Sequence, residues 1–240
     1  MAASDFRVAV VPPAIARDII VKHHYSRAWP TSNFVSFGAF ISGKLCGVVT
    51  FGHSANMQSW RSVKSCKGPR DIAELTRLWI ADWAPPFVES RAIAACLRIL
   101  RRDKVCKVAL SYADPSQGHV GTVYQASNWV FVGQSLPSQQ LRFSDGTLMH
   151  KRAAFDRYGT DRPDKLKAVD PGLKSVSVPG KYKYLYAIDR DVLPELEAMA
   201  KPYPKHPSCA GPERGAPDQG AKGGADPTPA LHSHEVTDGR

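Results

Sequence analysis

The chain has 240 residues, 43% of them apolar, and a formal net charge of +10. That length allows one large domain or two small ones, and the apolar share is enough for a real core. The charge is compatible with a polyanionic partner but equally with a basic protein that binds no nucleic acid, while five widely spaced cysteines without a Cys-x-x-Cys pair argue against a disulfide framework or a zinc ribbon. The sequence has no apolar leader and no long uncharged apolar stretch, so a cytoplasmic, reduced protein without a membrane partner is expected.

Pro12-Pro13 opens a predicted helix that runs to His23-His24-Tyr25, with Ile15, Ile19 and Ile20 on one face. Phe34 to Ile41 and Leu45 to Phe51 are β-prone runs separated by Ser42-Gly43-Lys44, a hairpin signal. Ile72 to Ile80 reads as a strand whose regular alternation would send Glu74 and Arg77 to opposite faces. A helix follows from about Glu89 to Lys104, and then a buried strand, Val105 to Tyr112, that ends at Ala113-Asp114-Pro115. A short helix is expected from His119 to Ser127 with Asn128 as a left-handed cap, followed by a strand at Val130 to Val132. Residues 134–180 read as irregular, with one hairpin around Asp145-Gly146. Lys181 to Ile188 predicts a last strand with Tyr182, Tyr184 and Tyr186 on one face. In residues 201–240, thirteen are Pro or Gly and large apolar side chains almost vanish, which predicts a disordered tail behind one domain of residues 1–200. The order of elements is that of a mixed α/β fold. A dinucleotide-binding fold would need parallel repeats and a Gly-rich first turn, and neither is present.

The segment Ser111 to Trp129 carries the most chemistry. A strand ends in polar residues, and a turn with Gly118 and Gly121 leads into a helix bearing Tyr124. Asp114 suits an amine binder or base and Tyr124 a proton donor; an Asp-Pro turn before an amphipathic helix accounts for the same residues. Glu74 on a central strand is costly unless it is paired or functional. His23 and His24, beside Tyr25 and Arg27, are candidates for a base or a metal ligand, or simply histidines favoured by a helix C-terminus. His119, His150 and Asp114 are residue types that iron takes, although their spacing follows no metal pattern. From Pro137 to Arg190 there are eleven Lys/Arg against six Asp, including Arg142, Lys151, Arg152 and Arg157. Phe143, Phe155, Tyr158 and Tyr182 are interleaved with them, a composition that fits phosphate contact with base stacking or, equally, a solvated face over core aromatics.

The strand, the tyrosine helix and Asn128-Trp129-Val130-Phe131-Val132-Gly133 resemble the second half of the GNAT acetyltransferase fold. Glu74 to Ile80 followed by a helix resembles its acyl-coenzyme A-binding half. His23-His24-Tyr25-Ser26-Arg27, the hairpin ending in Gly47-Val48-Val49-Thr50-Phe51-Gly52, Glu74-Leu75-Thr76-Arg77, Glu89-Ser90-Arg91-Ala92-Ile93, Ala113-Asp114 with Gln117, and Gly121-Thr122-Val123-Tyr124 occur in this order. Together, over residues 15–190, they resemble the Mom family of phage DNA-modification proteins. The resemblance implies a GNAT-like mixed central sheet with flanking helices. It also implies transfer of a small acyl-derived (carbamoylmethyl or acetamido) group to the exocyclic amine of adenine in double-stranded DNA, which protects the DNA from restriction. In that scheme Tyr124 is the acid, Asp114, Glu74 or His24 the base or amine binder, and Tyr25 borders the acceptor. Arg77, Trp79, Ile80, Ser90 and Arg91 would hold an acyl-coenzyme A or related donor. Arg27, Arg142, Lys151 and Arg152 would meet the DNA.

The chain departs from the superfamily at Ala84-Pro85-Pro86-Phe87-Val88-Glu89-Ser90-Arg91, where GNAT enzymes carry Arg/Gln-x-x-Gly-x-Gly/Ala. The prolines remove N–H donors and Glu89 repels phosphate. Two rival expectations stand beside the main one: a GNAT acyltransferase acting on a protein or small amine, and a non-catalytic DNA-binding module. The oligomeric state stays open, a homodimer included.

Overall fold

A computed structural model describes residues 5–205. In chain order these residues form β1 (Phe6–Val10), α1 (Pro13–His23), β2 (Asn33–Ile41), β3 (Lys44–Gly52), β4 (Ile72–Ile80), α2 (Val88–Arg102), β5 (Val108–Ala113), α3 (Thr122–Gln125) and β6 (Val130–Gln134). They continue with β7 (Ser138–Arg142), β8 (Leu148–His150), α4 (Lys151–Tyr158), α5 (Pro163–Leu166), β9 (Lys174–Val178), β10 (Tyr182–Ala187) and α6 (Leu193–Ala198). The predicted mixed central sheet with flanking helices is present. Its order is β1-β2-β3-β4-β5-β10-β6, and a second sheet runs β8-β7-β9.

The hairpin forms where expected, because Ser42 and Gly43 both take positive φ (49° and 79°) and so match the twist of the flanking strands. Of the contacts within the central sheet, only β4 with β5 is parallel, and that pairing is short: Ile72 faces Val108, Ala73 faces Ala109 and Glu74 faces Leu110. Beyond Glu74 the two strands part. On one face α2 lays Ala92, Ile93, Cys96, Leu97 and Leu100 over Phe37, Val49, Phe51, Ala73 and Leu75. Burying each large aliphatic side chain contributes about 1.5–3 kcal/mol. On the other face α1 seats Ala16 and Ile20 on Val48, while Val192 and Leu196 cover Ile72, Val108 and Leu110. Tyr182, Tyr184 and Tyr186 share the α2 face, as the alternation predicts. The four described cysteines, Cys46, Cys66, Cys96 and Cys106, are buried and unpaired.

The structure corrects the expectation in several places. Residues 134–180 are organised rather than irregular: β7–β9 and α4 enclose their own small core of Leu141, Phe143, Ala154, Leu166 and Leu173. Their strands are short and rich in Ser and Gln, which hides them from a hydrophobic pattern. The Asp145-Gly146 hairpin is present, with Gly146 at φ 85°. α3 is a single turn, because Gly118 and Gly121 hold left-handed conformations that delay its start; Asn128 takes the expected left-handed φ of 60°. β1 and α6 were not anticipated. Most of the predicted tail, residues 206–240, lies outside the described residues. Its first residues are described and bond back to the sheet: Lys201 N–H donates to the Phe131 carbonyl (2.8 Å) and the Tyr203 hydroxyl to the Trp129 carbonyl (2.8 Å). Among the described residues no helix is long and apolar enough to cross a membrane.

Candidate active site

The parting of β4 from β5 opens a cavity of about 430 Å³, lined by residues 75–78 of β4, by Tyr112 and Ala113 of β5, by His24 and Tyr25, and by residues 118–124. A second cavity of about 600 Å³ lies between the same strand ends and the small sheet; Glu74, Asp114, Asn56, Gln140, His150 and Lys181 are among its lining. Tyr112 lines both.

Tyr124 is buried against Trp129 and Tyr184, each ring 5.3 Å away, and lines the first cavity. Burial pushes its hydroxyl up to about 12, the Ser111 hydroxyl beside it opposing the shift. The group therefore stays protonated at neutral pH. His24 is buried and lines the same cavity. Its Nδ1 accepts the Ser26 N–H (3.1 Å) and lies 2.8 Å from the Ser26 hydroxyl. An accepting Nδ1 assigns the ring proton to Nε2. Burial, then the Arg77 guanidinium, then His119 lower its pKa to about 4, which keeps the ring neutral at neutral pH. Tyr25 tilts on His24 at 4.3 Å and meets the edge of His119 at 5.8 Å.

Glu74 and Arg77 do not part to opposite faces. The register shifts between Thr50 and Phe51, so that Gly52 faces Glu74 while Thr50 faces Arg77. Thr76 is the extra residue of a β-bulge, and Glu74 and Arg77 therefore share a face. Burial raises the Glu74 carboxyl, and the Ser54 hydroxyl, the Ala55 N–H (3.3 Å), Arg77 and Lys181 only partly offset it. Arg77 is tied down: its Nε donates to the Ala28 carbonyl (3.1 Å) and Nη1 to the Thr76 carbonyl (2.6 Å). Asp114 behaves differently. Burial raises its carboxyl, but the Ser116 hydroxyl (2.6 Å) and N–H (3.0 Å) and the Lys181 ammonium (3.1 Å) outweigh this and leave it lowered.

Of the residues expected to hold a donor, only Arg77 lines a cavity described above. Trp79 packs on α1 and stacks on His23 at 4.9 Å. Ile80 packs at the edge of the main core. The Ser90 hydroxyl donates to the Phe87 carbonyl (3.0 Å), and the Arg91 guanidinium sits 4.5 Å over the Phe6 ring. Arg27, Arg142, Lys151 and Arg152 are exposed, Arg27 in a left-handed turn at φ 48° and Arg152 bridged to Asp156 at 3.2 Å. Of the aromatics interleaved with the basic residues, Phe143 is core and Phe155 is exposed. The trio considered for iron is divided, with Asp114 and His150 at the second cavity and His119 at the first. Among the described residues no group of three His, Cys, Asp or Glu is arranged to hold a metal. Sequence reasoning missed Tyr112, Ser111 and Lys181. Lys181 joins the site because β10 pairs with β5, placing Tyr182 opposite Ala113.

Fold and cavities together define a mixed α/β protein with a cleft at the parting of two parallel strands. By its sequence the chain belongs to the Mom protein family, whose model matches residues 5–205. It is 36% identical over 130 residues to the methylcarbamoylase Mom of Escherichia phage Mu, which covers 54% of this chain and 54% of that protein. The chain thus spans about half the length of the curated relative it matches. Similar solved structures include a ribosomal L7/L12 alpha-N-protein acetyltransferase (7% identity, TM-score 0.42, 78% of this chain and 96% of that one). Another is Arabidopsis thaliana NAA60 in complex with acetyl-CoA (11% identity, TM-score 0.43, 76% of this chain and 99% of that one).

Proposed function

We propose that this chain is a transferase that places a small acyl-derived group, of the carbamoylmethyl or acetamido kind, on the exocyclic amine of adenine in DNA. The observation that carries this reading is the separation of acid from base across Tyr112: Tyr124 lines the first cavity, and Glu74 and Asp114 line the second. A donor in the first cavity and an adenine in the second would meet at that tyrosine. The family membership and the exposed basic residues around Lys151 support a DNA acceptor.

Past Glu74, β4 and β5 no longer pair with each other, and that open strand edge suits the extended amide arm of an acyl-coenzyme A-type donor. Its phosphate end is another matter. Pro85 and Pro86 offer no N–H, Phe87 projects 76% exposed at φ 67°, and the first turn of α2 holds Glu89, with the Arg91 guanidinium laid over the Phe6 ring. The residues fit the acyl arm and not the usual pyrophosphate cradle. A donor of this type supplies an activated group. Adenine's exocyclic amine is a weak nucleophile, so attack requires removal of a proton and close positioning. Glu74, whose basicity burial raises, takes that proton at its carboxylate. Asp114, held low by Lys181 and Ser116, stays ionised and accepts a hydrogen bond from the amine. The Nε2–H of His24 donates where negative charge develops. Tyr124 keeps its proton for the leaving group.

Mass spectrometry of nucleosides from plasmid DNA tests this reading. Cells expressing the chain should yield a modified adenine nucleoside that is absent without it. Unaltered adenine in both would overturn the proposal.

A further inference from the structure

The second cavity has an apolar tooth at its mouth. Leu136 is 88% exposed, although it stands beside Glu74, Asp114 and Gln140 in the cavity lining. A single exposed leucine is ordinary; the mounting of this one is not. The preceding Ser135 is clamped to the neighbouring strand, its N–H donating to the Lys181 carbonyl (2.9 Å) while its hydroxyl accepts the Lys181 N–H (2.9 Å). Pro137 follows with a fixed φ, and β7 starts at Ser138. The side chain is thus carried on a short, stiff bridge between β6 and β7, with no protein surface over it.

Its surroundings are those of a duplex partner. His150, also in the lining, caps α4 by accepting the Arg152 N–H (3.3 Å), and exposed Lys151 and Arg152 begin that helix. Arg142 is exposed on the adjoining strand. Exposed cations thus lie on β7 and at the start of α4, close along the chain to the lining residues Gln140 and His150 of a polar cavity, and one apolar side chain projects from its edge. An adenine inside a duplex is stacked and paired, so its amine reaches a carboxylate in a cavity only if the base leaves the stack. The gap it leaves favours its return unless something fills it, and leucine is among the side chains that insert between base steps.

We propose that Leu136 is the wedge that enters the duplex and holds the target adenine extruded in the cavity of Glu74 and Asp114. This rests on adenine in DNA being the acceptor. The test uses the full chain and duplex oligonucleotides carrying 2-aminopurine, an adenine analogue that brightens on leaving the stack. At saturating wild-type protein, fluorescence should rise several-fold. Leu136→Ala should remove more than half of that rise at its own saturation, and Leu136→Met, which keeps an apolar side chain of similar reach, should restore it. A full rise with Leu136→Ala overturns the wedge while leaving DNA as the acceptor. So does saturable binding by the wild type without any rise. No binding of any duplex by the wild type overturns the acceptor reading itself, and the wedge with it.

Discussion

Acidifying the protein should cost stability through His24. The ring is held neutral: burial, the Arg77 guanidinium and His119 lower its pKa from 6.5 to about 4, while Tyr25 covers one side. In the unfolded chain the same ring protonates near 6.5, so between that value and about 4 the unfolded state binds more protons than the native state. Stability is therefore intact above the unfolded pKa and falls as pH drops through this window. The gap corresponds to about 3 kcal/mol at roughly 1.4 kcal/mol per unit, a large part of the 5–15 kcal/mol typical of a domain. Urea unfolding of the wild type and of His24→Asn at several pH values between 7 and 4 measures it. Asparagine keeps an oxygen near Nδ1 to accept the Ser26 N–H but cannot titrate. The wild type should lose about 3 kcal/mol more than the variant across the window. Parallel losses would show that the ring is not held neutral, and would remove its role as an Nε2–H donor.

Tyr124→Phe keeps the ring in its contacts with Trp129 and Tyr184 and removes only the hydroxyl. The modified fraction of adenine in plasmid DNA should fall by about 100-fold or more, the scale of general acid–base catalysis, with an unchanged melting temperature; a fully active variant would make Tyr124 mere core. Glu74→Gln should lose activity on the same scale, and Asp114→Asn should lose less because Asp114 is the weaker base; the reverse order would exchange their roles. Neutralising Arg142, Lys151 and Arg152 together to Gln should flatten the salt dependence of DNA binding by about one unit of slope per lost phosphate contact. An unchanged slope would place the duplex elsewhere.

The elements legible in the sequence are those whose period matches one buried face. The 42–43 turn, α2 with Ile93, Leu97 and Leu100, and the tyrosine face of β10 all follow from local pattern, and the structure forms them where that pattern puts them. Of Asp114, Tyr124, Glu74 and His24, which the sequence singles out together, Tyr124 and His24 line one cavity and Glu74 and Asp114 the other. What stayed hidden depends on pairing between distant strands. Lys181 reaches Asp114 only because β10 inserts between β5 and β6, a neighbour relation that no spacing along the chain reveals. Beyond its Asp145-Gly146 hairpin the small sheet was hidden because its strands bury few apolar residues, Leu141 being buried in β7 and Val178 in β9. Ser90 and Arg91 read as donor-holding residues through the resemblance; the Ser90 hydroxyl donates to the Phe87 carbonyl, and Arg91 lies exposed over the Phe6 ring.

The bulge at Thr76 shows how the cleft and its chemistry arise from a single irregularity. Glu74 is the last residue of β4 paired on both sides, with Gly52 across one edge and Leu110 across the other. The cleft begins at the next residue. Were β4 regular through these residues, alternation would turn Arg77 to the face that carries Leu75, under α2, where a guanidinium would be buried among aliphatic side chains without a partner. The inserted Thr76 restores the phase. Its hydroxyl lies 2.8 Å from that of Thr50 and donates to the Thr50 carbonyl (3.2 Å), so the bulge is bonded in place rather than merely tolerated. Arg77 thereby follows Glu74 onto the cleft side, near enough to favour the Glu74 carboxylate and to disfavour protonation of His24. One misregistered threonine thus adds a positive charge beside two groups whose protonation burial already governs: Arg77 partly offsets the rise of the Glu74 carboxyl and reinforces the neutrality of His24.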